Sequence, residues 1–442
     1  MNVIWFVVDT LRADHLSCYG YFRKTTPNID RLAEEGVLFE KSYASAIATG
    51  PAFTSLFTGL AAINHGFYLT PWNVPNAPLL DDRIVTLPEL IQARGDYTTA
   101  AFDNLMNFRS HMKQFVRGFE FYINVTRLPA WLHHHVIADE LNHRLLPWLE
   151  QHRDEQFFAF VHYWDPHTPY NMPDKFRGKF DRKKGDLVTR KAPDGYEYVP
   201  GWGLADRLPE GDEKLSIDLY DDEVFYTDYS IGIVQEKLAE LGLLDETAII
   251  VTSDHGEDLD LHGLWGHGTV HNTTIFVPLI IRDPKHPPHN KRVTGFAQHI
   301  DDLPTILEYF PEQKRHEFKR LTFPKSMPEI LESFDGDSLL ALARGERVGK
   351  SEIVVETGAN RAYVAPPWKL IWHKDGKKSE LFHMENDPLE LNDRAGEEKA
   401  VLKDLSEKLH HWVEENLQGE RTDPIFATKG AWTCYISEKG KH

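Results

Sequence analysis

Several short segments bring metal-ligating and nucleophilic residue types to the ends of apolar runs. Asp9 closes the run Val3–Val8 within Val7-Val8-Asp9-Thr10-Leu11-Arg12. A carboxylate at the carboxyl end of a buried strand lies where open α/β sheets bind ligands, although an ordinary strand-terminating Asp looks the same locally. Ser253-Asp254-His255-Gly256-Glu257 follows directly on Ala248–Thr252. Adjacent Asp and His can give one oxygen and one nitrogen to a divalent cation, and the glycine lets backbone approach closely. Two such strand ends in one sheet are harder to dismiss than one.

Thr49-Gly50-Pro51 enters a segment, Ala52–Thr58, that reads as a helix. A hydroxyl at a helix N-terminus sits in a field that favours anions, including its own alkoxide and an incoming phosphate or sulfate. Thr49 as a plain N-cap is the competing reading, and local sequence leaves both open. Histidines form the last group: His167 in Asp165-Pro166-His167-Thr168-Pro169, then His262, His267 and His271 beyond Asp254-His255. With 23 histidines in the chain, any single one is an ordinary structural residue on numbers alone. Four of them near strand ends and carboxylates could serve as metal ligands, general acids or oxyanion donors.

The elements that must position these residues follow from periodicity. Val3–Val8, Thr98–Phe102, Phe157–His162, Ala248–Thr252 and Val277–Ile281 are short apolar runs bounded by polar turns, which suit buried strands of a mostly parallel sheet. Between them, Pro27 opens a helix that stops near Gly36, and Asp139–Glu150 and Ser216–Leu241 repeat with a helical period. Alternation of this kind predicts an α/β fold, a mostly parallel central sheet sandwiched by helices. Residues 176–211, rich in Lys, Asp, Gly and Pro, read as a surface excursion or lid. After about Gly349, short strands at Ile353–Glu356, Ala362–Ala365 and Lys369–Trp372 and a helix at Glu397–Glu415 predict a smaller C-terminal α+β domain. The expected division is 1–348 and 349–442.

Composition narrows the partners. The 442-residue chain is too long for one compact core of ordinary size, and its net charge is −19 with no basic block. No nucleic acid and no anionic membrane is expected as a partner; a small-molecule ester fits better, and a homo-oligomer is left open. Two cysteines, Cys18 and Cys434, form neither a disulfide framework nor a metal-ligand spacing. The opening apolar run is too short for a secretory signal, and no stretch approaches the roughly 20 apolar residues of a membrane span. A cytoplasmic location is expected.

Taken together, these segments resemble the sulfatase family of the alkaline phosphatase superfamily. VVDTLRADHLSCYG, TPNIDRLAEEGVLFEKSYA and the Thr-Gly-Pro segment ending in Phe57-Thr58-Gly59 are similar to its N-terminal signature. TSDHGEDLDLHGLWGHG followed by Val277–Arg282 resembles its second metal segment, and Leu381–Glu390 its C-terminal motif. The resemblance implies that Asp9, Asp254 and His255 bind a metal, that Thr49 completes the shell as nucleophile, and that His167 and His262 face the leaving or transferred group.

The departures point to a substrate. Sulfatases carry Cys or Ser, oxidised to formylglycine, where this chain has Thr49, so no formylglycine is expected. The family's signature Arg is Phe53 here, and two family lysines fall at Asn104 and His267. A threonyl sulfate has no hemiacetal exit, whereas a threonyl phosphate can be cleared by activated water. The expected chemistry is therefore hydrolysis of a phosphodiester or phosphonate monoester through Thr49, with His167, His262 or His267 protonating the leaving oxygen and Phe53 packing on the ester's second substituent. Mn²⁺ or Zn²⁺ is favoured over Ca²⁺ because His255 is among the ligands. A second metal held by some of Asp165, His167, His262, His267 and His271 would offset the missing cations. A sulfatase using Thr directly, a transferase and a non-catalytic ligand-binding homologue are the rival readings.

Overall fold

The computed structural model describes residues 1–68, 80–104, 114–125, 136–168, 170–180, 190–191, 197–198, 214–259, 261–262, 266–286, 288–313, 329–330, 332–419 and 422–427. Its strands are β1 (Asn2–Val8), β2 (Val37–Tyr43), β3 (Thr98–Phe102), β4 (Phe121–Ile123), β5 (Phe157–Tyr163), β6 (Arg190–Lys191), β7 (Glu197–Tyr198), β8 (Thr247–Ser253), β9 (Leu279–Arg282), β10 (Lys291–Gln298), β11 (Ile353–Glu356), β12 (Asn360–Ala365), β13 (Trp368–His373) and β14 (Glu380–His383). Eight of them form a central sheet in the order β10-β2-β9-β8-β1-β5-β3-β4. Every neighbouring pair is parallel except those of β9, which runs antiparallel to both β8 and β2.

β1 shows why the sheet is a filling between helices. All seven of its residues are buried. Ile4, Phe6 and Val8 point into one core with the helices Pro27–Glu35, Ala138–Gln151 and Lys214–Glu240. Val3, Trp5 and Val7 point into the other with Thr49–Thr58, Leu87–Arg94 and Asp302–Leu307. A strand covered on both faces must be apolar on both, which is the continuous run read in the sequence. The mostly parallel sandwich is the architecture observed.

The first helix is held at its N-terminus by a neighbour rather than by its own cap. Asp228, on the helix Lys214–Glu240, accepts from the Asn28 and Ile29 amides at 3.0 and 2.7 Å. A carboxylate there satisfies amides that have no intrahelical acceptor.

The smaller antiparallel sheet, β11-β12-β13-β14, lies at the C-terminal end. One face shares a core with Tyr43, Ile47, Ile275, Val277 and Phe296, and the other receives Leu405 and Leu409 of the helix Lys399–Leu417. We propose the division near residue 349 as a boundary in sequence across which the packing is continuous. Of the excursion expected at 176–211, residues 176–180 and the short β6-β7 ribbon are described, and the rest lies outside the described residues, as does Cys434. Among the described residues no helix is long and apolar enough to cross a membrane.

Candidate active site

Strand register builds the centre of the site. Val8 of β1 pairs with Ser253 of β8, so Asp9 and Asp254 leave adjacent parallel strands side by side. On the other side Val8 pairs with Tyr163 of β5, and Phe102 of β3 pairs with Val161 of the same strand. Asp254, Asp9, His162 and Asp103 therefore form a row across the carboxyl edge of four neighbouring strands. His162 Nε2 lies 3.4 Å from Asp9 Oδ2, and its Nδ1 lies 2.7 Å from Asp103 Oδ1. Burial alone would lower the His162 pKa, but the two carboxylates outweigh it and hold the ring cationic, raised to about 10.

Asp254 is fixed by backbone. Its Oδ1 accepts from the amides of Thr10 at 3.1 Å and His255 at 2.8 Å, and Oδ2 has no hydrogen-bond partner. Gly256 is required beside it, because an added Cβ would stand 2.1 Å from Thr273 O. His255 donates from Nδ1 to Gly256 O at 3.0 Å, which leaves the Nε2 lone pair facing Thr49 Oγ1 at 3.2 Å. Burial pushes the His255 pKa well below the usual range, with His267 acting in the same direction, so the ring is a neutral donor. Thr49 lies in the first turn of its helix and Ala48 is the N-cap, so the N-cap reading of Thr49 does not hold.

Asp9, Asp254 and His255 each bring a ligand atom within 4.8 Å of the others, all buried. Both Asp9 oxygens and Asp254 Oδ2 are buried with no hydrogen-bond partner. Burial and the neighbouring Asp9 raise Asp254 well above the usual carboxylate range. Burial works against ionisation of Asp9 too, yet His162, His167 and His255 hold its pKa low. Two close, buried carboxylates with orphaned oxygens and one neutral imidazole form a cradle that a divalent cation fits.

A family model described as Sulfatase matches residues 1–312. The chain belongs to the sulfatase family. It is 28% identical over 387 residues to the multifunctional alkaline phosphatase superfamily protein PehA of Trinickia caryophylli, covering 70% of this chain and 73% of that one. It is 25% identical to the uncharacterized sulfatase YidJ of Escherichia coli K12, with 92% and 85% covered. Among solved structures, the phosphonate monoester hydrolase of Agrobacterium radiobacter superposes with a TM-score of 0.72 at 22% identity, covering 94% of this chain and 96% of that one. The phosphonate monoester hydrolase SpPMH of Silicibacter pomeroyi gives 0.73 at 20% identity, with 96% of each covered. The chain is thus an ester hydrolase of a family whose members depend on divalent metals.

Within this sulfatase-family site, a second buried group abuts the first. His167, Glu257 and His267 also bring ligand atoms within 4.8 Å of one another. The His255 and His267 rings lie 4.0 Å apart, and those of His167 and His267 lie 5.2 Å apart. Burial lowers His167, despite the attraction of Asp9. Burial would lower His267 as well, but Glu257 lifts it above the ordinary histidine value.

His262 is placed elsewhere. Its Nδ1 meets Asp258 Oδ1 at 2.8 Å, its Nε2 meets Leu389 O at 2.9 Å, and its ring stacks on His271 at 3.9 Å. With both nitrogens committed, it offers none to an ester. Lys369, paired with Glu390 at 2.7 Å with both side chains fully buried, joins the same contact, and Glu390 also accepts the Asn272 amide at 2.8 Å. Asp165 accepts the Ala138 amide at 2.7 Å and caps the helix Ala138–Gln151, so it belongs to neither ligand group. The expectation that Phe53 packs on the substrate is also corrected. Phe53 is fully buried among Phe57, Phe115 and Phe160, with its ring 4.7 Å from that of His162. It covers the imidazolium rather than the ester, and Asn104 is fully buried too.

Sequence reasoning passed over His162, Asp103 and Glu257. Asp103 follows the apolar run Thr98–Phe102 as Asp9 follows Val3–Val8, so the same criterion would have found it.

Proposed function

We propose that this chain hydrolyses a phosphodiester or phosphonate monoester through a covalent intermediate on Thr49. The observation that supports it most directly is the contact of Thr49 Oγ1 with His255 Nε2 beside Asp9 and Asp254. A divalent cation, Mn²⁺ or Zn²⁺ by the mixed oxygen and nitrogen donor set, would be held by Asp9, Thr49, Asp254 and His255. Bound there it would lower the pKa of the Thr49 hydroxyl and offset charge on the non-bridging oxygens.

The residues themselves supply the rest. Thr49 Oγ forms a bond to phosphorus as the bond to the leaving oxygen breaks; the hydroxyl proton passes to solvent, and the leaving oxygen takes up a proton from solvent. Water then attacks phosphorus as the Oγ–phosphorus bond breaks; one proton of that water returns to Thr49 Oγ and the other is lost to solvent. The cationic His162 keeps Asp9 ionised. His167 and His267, packed beside His255, would offset charge on the leaving oxygen. Threonine favours phosphorus because a threonyl sulfate lacks the aldehyde-hydrate exit of formylglycine.

Thr49→Ala should abolish turnover of bis-p-nitrophenyl phosphate, and unchanged turnover would sink the covalent route. A sulfate ester remains the second reading. It is favoured by relatives such as the N-acetylglucosamine-6-O-sulfatase of Bacteroides thetaiotaomicron, 24% identical over 96% of this chain and 89% of that one. Rates on p-nitrophenyl sulfate and on the aryl phosphodiester separate the two.

A further inference from the structure

We propose that His167, Glu257 and His267 hold a second divalent cation, beside the one assigned to Asp9, Thr49, Asp254 and His255. The inference rests on the reading of this site as a phosphorus-ester hydrolase and adds how it meets the leaving group.

Three observations carry it. The ligand atoms of the three residues lie within 4.8 Å of one another, and the residues are only 3%, 4% and 5% exposed. His267 Nδ1 lies 3.5 Å from Glu257 Oε2, beyond a good hydrogen bond, and Glu257 Oε1 is buried with no hydrogen-bond partner, an arrangement that a cation drawn between the two would complete. His167 donates from Nδ1 to Thr168 O at 2.5 Å, so its Nε2 presents a lone pair, the outer-shell arrangement that fixes a ligating imidazole.

The donor set has a chemical meaning. Two imidazoles and one carboxylate are three protein ligands, a number that leaves a tetrahedral Zn²⁺ one open position for water or substrate. His255 belongs to the first group and His267 to the second, and their rings are 4.0 Å apart. The two cradles thus stand side by side, so that cations held in them would act on one bound ester together. The second cation would then take up the charge on the leaving oxygen.

The test counts metal on the full-length protein, loaded with Zn²⁺ or Mn²⁺ and freed of excess. Two equivalents per chain are expected from mass spectrometry of the metal, falling to one in Glu257→Gln and to one in Asp254→Asn. One equivalent in the wild type, or two retained by Glu257→Gln, overturns the proposal. Should Glu257→Gln fail to fold, an anomalous difference map of the wild type decides: a peak among His167, Glu257 and His267 supports the site, and a single peak elsewhere removes it. One metal with diester turnover discards the second site and keeps the phosphorus reading. Two metals with turnover of aryl sulfate alone keep the site and discard that reading.

Discussion

His162 Nδ1 lies 2.7 Å from Asp103 Oδ1, and the same ring turns its Nε2 to Asp9 Oδ2 at 3.4 Å. A side chain two strands away thereby reaches Asp9 through one imidazolium. Asp103→Asn should leave the fold intact and weaken metal affinity by about 10- to 100-fold, the usual effect of losing an outer-shell partner. Competition with a chelator measures it; an unchanged affinity would detach the pair from the metal.

Phe53 gives a stability prediction of a different kind. Because its ring is enclosed by other aromatics and His162, Phe53→Ala should cost about 3–5 kcal/mol in urea unfolding. The KM for ester substrates should stay within about two-fold, since the ring lines no substrate surface. A large KM change at full stability would restore it to the pocket.

Two buried histidines outside the site make the fold acid-sensitive. His65 Nδ1 accepts the Phe67 amide at 3.0 Å and His299 Nδ1 accepts the Ser45 amide at 3.3 Å, so protonation would break each bond. Burial pushes both down to about 3, against about 6.5 in the unfolded chain. With the folded values depressed, the unfolded state binds the protons first. The associated stability is present above about pH 6.5 and is lost as pH falls toward 3. His65→Gln should flatten the fall of the urea midpoint between pH 6.5 and 4; an unaltered slope would refute this.

His262 separates placement from proximity in sequence. His262→Gln should leave the metal content unchanged and kcat within a few-fold, while lowering thermal stability by loosening the contact with Leu389. A kcat loss as deep as that of Thr49→Ala, at unchanged stability, would place His262 back among the catalytic groups.

Much of this was legible because strand ends announce themselves. Asp9 and Asp254 terminate uninterrupted apolar runs, and the parallel register that joins them is the only extra fact needed to set them together. Less was legible where burial is one-sided. β10 carries the pattern of a half-exposed strand, and in β2 Glu40 and Lys41 interrupt the apolar run, so neither stands out as β1 does. Contacts set by tertiary packing were also hidden. Phe53 carries no sign of which way it faces, and the spacing of His262 from Asp258 does not reveal that Leu389 lies beyond it. Glu257 was visible in its motif, yet its pairing with His167 and His267 required the fold.

The clasp between Asn272 and residues 388–390 bears on how the chain matures. His262, 127 positions before Leu389, and Asn272 are tied to a stretch that leaves the ribosome long after the last ligand candidate, His267. The loop bearing Glu257 and His267 gains its final anchor only when the small sheet has been synthesised. A nascent chain can therefore hold every candidate ligand before the clasp that ties His262 and Asn272 to residues 388–390 is able to form.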